Sequence, residues 1–170
     1  MLIQKDEKYL PSIDAMKFIG FIRGSENESN DSPEVHYKIA DALFSPAKRD
    51  RKVVIECTRG LGKSTTVEYA VIYAAAVGEW PGFGKVPFIV FLGASQEGNV
   101  KQFFKNVANK IERSKLISSV LSVKRVTDNE LELVNVNGVE TMVVGRGMST
   151  NFRGLRSKSG DRPTLVIADD

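Results

Sequence analysis

Apolar residues recur along this chain with two periods, and the points where the period changes divide it into elements. From Ser12 to Ile22 the positions Ile13, Met16, Phe18, Ile19 and Ile22 fall at helical spacing behind the helix-opening pair Pro11-Ser12. Gly24 to Asp31 is polar and predicts a linker or exposed loop. A second helix starts after Ser32, with Pro33 in its first turn, and runs through Ile39 to Phe44. The basic cluster Lys48-Arg49-Asp50-Arg51-Lys52 reads as a solvated turn, with nucleotide or DNA contact as the alternative, and leads into a strand at Val53-Val54-Ile55. Thr65 to Ala76, rich in alanine and without proline or glycine, predicts a third helix. Gly78 to Lys85 holds three glycines, Pro81 and the sole tryptophan, Trp80, and reads as a loop pinned to the body by that aromatic ring. Pro87 to Leu92 is continuously apolar, as suits a strand buried on both faces of a parallel sheet. After Gly93-Ala94-Ser95, helical spacing returns over Gln96 to Ile111, with Val100, Phe103, Phe104, Val107 and Ile111 as core positions. From Leu121 to Val144 the segments are short and β-like. There Asn137-Gly138 predicts a hairpin turn between 131–136 and 139–144, inserted between two strands of the main sheet. Thr164 to Ala168 is one more apolar strand. This order of elements predicts an α/β fold, a mostly parallel sheet flanked by helices.

Composition narrows the class without changing that outline. At 170 residues and 42% hydrophobic, the chain can bury one sizeable core, so the expectation is a single α/β domain or a piece of one. Residues 1–32 form its helical segment and linker, and 33–170 its core. Twenty-four Lys and Arg against 21 Asp and Glu give +3, which permits nucleic-acid contact but does not argue for it. A single cysteine excludes an internal disulfide. No apolar run approaches the roughly 18 to 20 residues of a membrane span, and the mixed-charge start Met1 to Lys8 lacks a signal core. Together these point to the cytoplasm.

The chemistry concentrates in Cys57-Thr58-Arg59-Gly60-Leu61-Gly62-Lys63-Ser64, which lies between the predicted strand and the third helix. Strand, glycine-containing loop and helix in that order are the setting of a phosphate-binding P-loop. Gly60 and Gly62 let the backbone curl so that successive N–H groups and the helix N-terminus face an anion. Lys63 reaches the terminal phosphates, and Ser64 offers its hydroxyl to a magnesium ion. Cys57 replaces the first glycine of the pattern G-x-x-x-x-G-K-S/T, so a strict search passes over it. The bland alternative is a glycine turn with a surface lysine.

A second signal is the strand Thr164-Leu165-Val166-Ile167-Ala168 ending in Asp169-Asp170, a Walker B pattern. A carboxylate at such a strand tip can hold magnesium, and a neighbouring acid can orient the attacking water. Two aspartates after an apolar strand are also a common way for a chain to leave the core. The glycine-rich, basic stretch Gly145 to Arg162 predicts a loop near the phosphate site. In it Arg153 and Arg156 are candidates for contact with nucleotide or a DNA backbone, a solvated loop being the alternative.

Four places resemble the N-terminal ATPase domain of tailed-phage terminase large subunits, nearest to those of short-tailed phages. They are the deviant P-loop Thr58 to Ser64, the strand and turn Phe88 to Ser95, the Phe152-Arg153-Gly154 element, and Leu165 to Asp170. The resemblance implies a P-loop NTPase of the additional-strand type that hydrolyses ATP with Mg2+ to drive double-stranded DNA into a capsid. Its implied partners are the portal protein, the terminase small subunit and further copies in a ring, in the host cytoplasm. It implies ATP contact over Thr58 to Thr65 and a catalytic set of Arg59, Lys63, Asp169 and Asp170. Ser64 and Asp169 are the implied metal ligands, and Arg59 the residue that senses or stabilises the γ-phosphate. Pro33 to Leu43 takes the place of the adenine-recognising segment, with His36 near the usual glutamine.

Family members continue past Walker B with a coupling motif, further strands and a nuclease domain, so the chain reads as a fragment with its catalytic glutamate beyond Asp170. The family's sheet also has a strand of later sequence between the Walker A and Walker B strands. Two other functions fit the same residues. One is a different P-loop DNA-dependent ATPase or helicase, and the other is a truncated nucleotide-binding protein without hydrolysis.

Overall fold

β1 (Phe88–Gly93) forms the middle of the sheet because all six of its residues are apolar or glycine and all six are buried. The computed structural model describes residues 11–25, 33–44, 53–80, 83–150 and 154–169. In it five strands run in the order β2-β3-β4-β1-β5, where β2 is Leu121–Val126, β3 Glu130–Asn135, β4 Glu140–Gly147 and β5 Leu165–Asp169. β1 pairs in parallel with β4 on one side and β5 on the other. The register sets Gly93 beside both Gly147 and Asp169, so the C-terminal ends of the three parallel strands lie together.

The sheet is mixed rather than mostly parallel. β2–β3 and β3–β4 are antiparallel, and the hairpin explains why. Gly138 takes a φ of 76°, while Asn135 Oδ1 accepts from the N–H groups of Asn137 and Val139 at 3.0 Å each. The turn therefore forms where Asn137-Gly138 predicts it. Its second strand, however, is itself the parallel neighbour of β1, and the hairpin extends the sheet instead of standing apart from it.

α3 (Lys63–Val77) is apolar on all sides and is buried accordingly, every residue from Thr66 to Ala75 being out of solvent. Ala15, Met16, Ile19 and Ile22 of α1 (Pro11–Ser25) and Ala40 and Phe44 of α2 (Glu34–Phe44) join its core. Phe103, Phe104, Val107 and Ile111 of α4 (Lys101–Arg113) join the same core. Trp80 does pin its loop, donating from Nε1 to the Leu43 carbonyl at 2.9 Å and packing 5.0 Å from the Phe44 ring. α1 and α2 cover the predicted helices, α1 running on through Gly24 and Ser25, where a loop was expected. The remainder of that linker and the cluster 48–52 lie outside the described residues.

Two further differences bear on the site. The helix expected from Gln96 opens as a π-helical turn, Gln96–Val100, capped by Ser95, before α4 begins. Glycines make room for it: a Cβ on Gly145 would stand 2.1 Å from Val100 Cγ1 and 2.9 Å from the Phe104 ring. Gly145→Ala should therefore cost about 1–3 kcal/mol through overpacking, measured by urea unfolding; a loss below ~0.5 kcal/mol would show that the turn can move aside. The second difference is that Val53-Val54-Ile55 is extended but joins no ladder among the described residues. Val54 is 82% exposed, and β5, which the terminase resemblance separates from this segment by a strand of later sequence, is an edge strand. A strand needs a partner for its backbone groups, and a cleft of about 780 Å³ separates the two segments.

Candidate functional site

The loop before α3 turns on two glycines with positive φ. Gly60 and Gly62 sit at φ 91° and 69°, in the left-handed region that other residues rarely adopt. Gly62 is the N-cap of α3, and no side chain among the described residues caps that end. The first-turn amides lie at the positive end of the helix dipole. Thr66 tightens the first turn, its N–H and Oγ1–H both donating to the Gly62 carbonyl at 2.9 Å. At Gly62 a side chain is also excluded by space: a Cβ would stand 2.7 Å from His36 Nε2.

His36 is thereby placed against the loop. Its Nε2 lies 2.9 Å from the Leu61 carbonyl, which can only accept, so Nε2 carries the proton. Whatever else His36 touches, its defined contact is with the loop backbone. Beside it lies a cavity of about 490 Å³, lined by Pro33, Val35, Gly60, Thr65, Tyr69, Lys110 of α4 and other residues of α1, α2, α3 and the loop. Its walls are both apolar and polar.

On the sheet side, Lys63 Nζ lies 3.7 Å from Asp169 Oδ1. Asp169, at the C-terminal tip of β5, is buried. Ser64 and Asp169 both line a third cavity, of about 440 Å³, whose other walls include Glu68, Asn99, Gln102 and Asn106. The predicted trio Lys63, Ser64 and Asp169 is thus brought together from the start of one helix and the end of one strand. Gly60, Leu61, Gly62, Thr65 and His36 gather around the first cavity. Thr58 and Arg59 are exposed at the tip of the loop, and Cys57 lines the cleft toward β5.

The basic loop behaves differently. Arg156 donates to the Gly160 carbonyl of its own turn at 2.8 Å and lines neither of the cavities beside the 60–65 loop. Arg153 and Asp170 lie outside the described residues. Lys158 pairs with Glu132 on β3, and this hydrogen bond holds the Glu132 carboxyl below its usual range, against the opposing effect of burial. A depressed carboxyl pKa stabilises the fold above the unfolded value near 4.5 and loses that contribution as pH falls through the folded value. Lys158→Ala is therefore expected to cost roughly 0.5–1 kcal/mol at pH 7, because the lysine is largely solvated. The difference from wild type should shrink below pH 4, as chemical denaturation at both pH values would show; a pH-independent difference contradicts this account.

Glu68, Asn106 and Lys110 escaped the sequence reading. Glu68 is buried in the middle of α3 and accepts from Asn106 Nδ2 and Lys110 Nζ, each at 2.7 Å. The signal was present: Glu68 is a lone carboxylate, one turn after Ser64, in an otherwise apolar helix.

Comparison with protein-family models, with curated proteins and with solved structures finds no match to this chain. No helix among the described residues is long and apolar enough to cross a membrane.

Proposed function

We propose that this chain binds ATP with magnesium at the N-terminus of α3, as the ATPase part of a terminase-like motor that couples hydrolysis to movement of double-stranded DNA into a capsid. The observation that carries the reading is the 3.7 Å approach of Lys63 to Asp169. It joins a glycine loop and the N-terminus of α3 to a carboxylate at the C-terminal ends of parallel strands, where α/β folds bind ligands.

The donor set fits magnesium. Ser64 and Asp169 line one cavity, and no group of three or more potential ligands from His, Cys, Asp and Glu occurs among the described residues. Magnesium commonly takes one or two protein ligands and completes its shell with water and substrate phosphates. Bound there, it would neutralise phosphate charge. Of the chain's own groups, Lys63 and the loop amides hold the phosphates, and Arg59 offsets charge that develops on the transferring group. The cleft between 53–57 and the β5 edge supports the additional-strand topology, since a strand seated in it would pair with both.

A specific observation favours nucleotide binding without rapid hydrolysis as the second reading. Among the described residues the carboxylates lining the cavity beside Ser64 are Asp169 and Glu68, and Glu68 is engaged by Lys110 and Asn106. DNA, the portal protein, the small subunit and ring assembly follow from the terminase reading alone. Titrating the chain with a fluorescent ATP analogue, with and without magnesium, tests the common part of both readings. Saturable binding that magnesium tightens is expected; none up to about 1 mM, roughly −4 kcal/mol, would sink both.

A further inference from the structure

The third cavity carries an inference that rests on the nucleotide reading and deepens it. A chain of hydrogen bonds runs into it from the far side of α3. Lys110 Nζ donates to Glu68 Oε2 at 2.7 Å, and Asn106 Nδ2 donates to Glu68 Oε1 at 2.7 Å. Gln102 Nε2 in turn donates to Asn106 Oδ1 at 2.6 Å.

The direction of this chain is dictated by chemistry. Lys110 can only donate, and an ionised Glu68 can only accept. Asn106 must therefore present its NH2 to Glu68 and its oxygen to Gln102. Gln102 must then present its own NH2 to Asn106, which leaves Oε1 as the acceptor it offers at the cavity. Helical spacing puts Asn99, Gln102 and Asn106 on one face, and Ser64 and Asp169 line the same cavity. Phe91 and Phe103, stacked at 3.9 Å between ring centres, supply the apolar part of its wall.

We infer that Gln102 is a catalytic residue that holds the attacking water, through Oε1, in line with the terminal phosphate of a nucleotide bound at Lys63 and Ser64. An oxygen acceptor is the wrong group for a phosphate oxygen and the right one for a water hydrogen. In the reaction the water oxygen bonds to the γ-phosphorus while the bond from that phosphorus to the bridging oxygen breaks, its electron pair leaving with ADP. One water proton stays on the inorganic phosphate and the other passes to solvent. The amide takes neither, and its contribution is orientation. Asn106, Glu68 and Lys110 are positioning residues, because they act by fixing the Gln102 amide.

The test measures binding of magnesium-ADP to the chain alone and with aluminium fluoride, which together mimic the transition state with its water in place. Wild type should bind more tightly when aluminium fluoride is added. Gln102→Leu, at an exposed position where folding is safe, should lose at least about 10-fold of that tightening, with affinity for ADP alone within about twofold. Gln102→Glu keeps an acceptor but cannot donate to Asn106 Oδ1, so it should lose at least as much of the effect as Asn106→Leu, which should lose an intermediate part. Undiminished tightening in Gln102→Leu, an equal loss for both ligands, or no tightening in wild type would overturn the inference while leaving nucleotide binding intact. Failure of wild type to bind magnesium-ADP at all would instead overturn the nucleotide reading beneath it.

Discussion

Lys63→Ala should lower affinity for magnesium-ATP by about 100-fold or more, a loss of roughly 3 kcal/mol, because a desolvated ammonium facing phosphate oxygens is removed from its partners. The substitution should leave the fold in place. Lys63 is the first residue of α3, alanine is the best helix former, and the core begins three residues later at Thr66. One electrostatic consequence runs the other way. Lys63 now offsets the buried Asp169 carboxylate at 3.7 Å, so the variant leaves that carboxylate less well compensated and should take up divalent cation more readily than wild type. Weakened ATP binding together with strengthened cation binding would be the signature of a lysine shared between phosphate and carboxylate. Isothermal titration with magnesium-ATP and with magnesium alone measures both, and equal ATP affinity in wild type and variant would remove Lys63 from the site.

The parts of the fold that follow from local rules were legible in the sequence. Alanine-rich α3, the fully apolar β1 and the Asn137-Gly138 turn each have one strong physical cause, and each forms where its residues predict. What the sequence did not carry was pairing. Val53-Val54-Ile55 has the residue types of a strand, but a strand exists through its neighbours, and nothing local says that this one stands across an open cleft from β5. The mixed sheet was hidden for the same reason: β4 reads equally well as the return of a hairpin and as a parallel partner of β1, and it is both. The candidate site divides along the same line. Gly60, Gly62, Lys63, Ser64 and Asp169 were visible because backbone need and chemistry coincide at fixed spacing. The chain from Lys110 to Gln102 was not, because it depends on α4 packing across α3, a tertiary fact that single-residue polarity only hints at through Glu68.

Arg59 separates a motor-like ATPase from a simple nucleotide binder. It is exposed at the tip of the loop, so if it served only as a solvated surface residue, Arg59→Ala would change stability by no more than about 0.5 kcal/mol and change nothing else. If its guanidinium offsets charge on the transferring phosphoryl group, its benefit is concentrated in the transition state. Arg59→Ala should then lower ATP turnover by about 1,000-fold, the lower end of what such arginines contribute, while ADP affinity falls by no more than about threefold. Arg59→Lys should recover little, since a point charge on a flexible stem cannot replace the planar, two-pronged contact with phosphate oxygens. Steady-state turnover and ADP affinity for the three proteins decide the matter. Unchanged turnover in the alanine variant would take Arg59 out of the catalytic set and weaken the terminase reading, while leaving the binding prediction for Lys63 untouched.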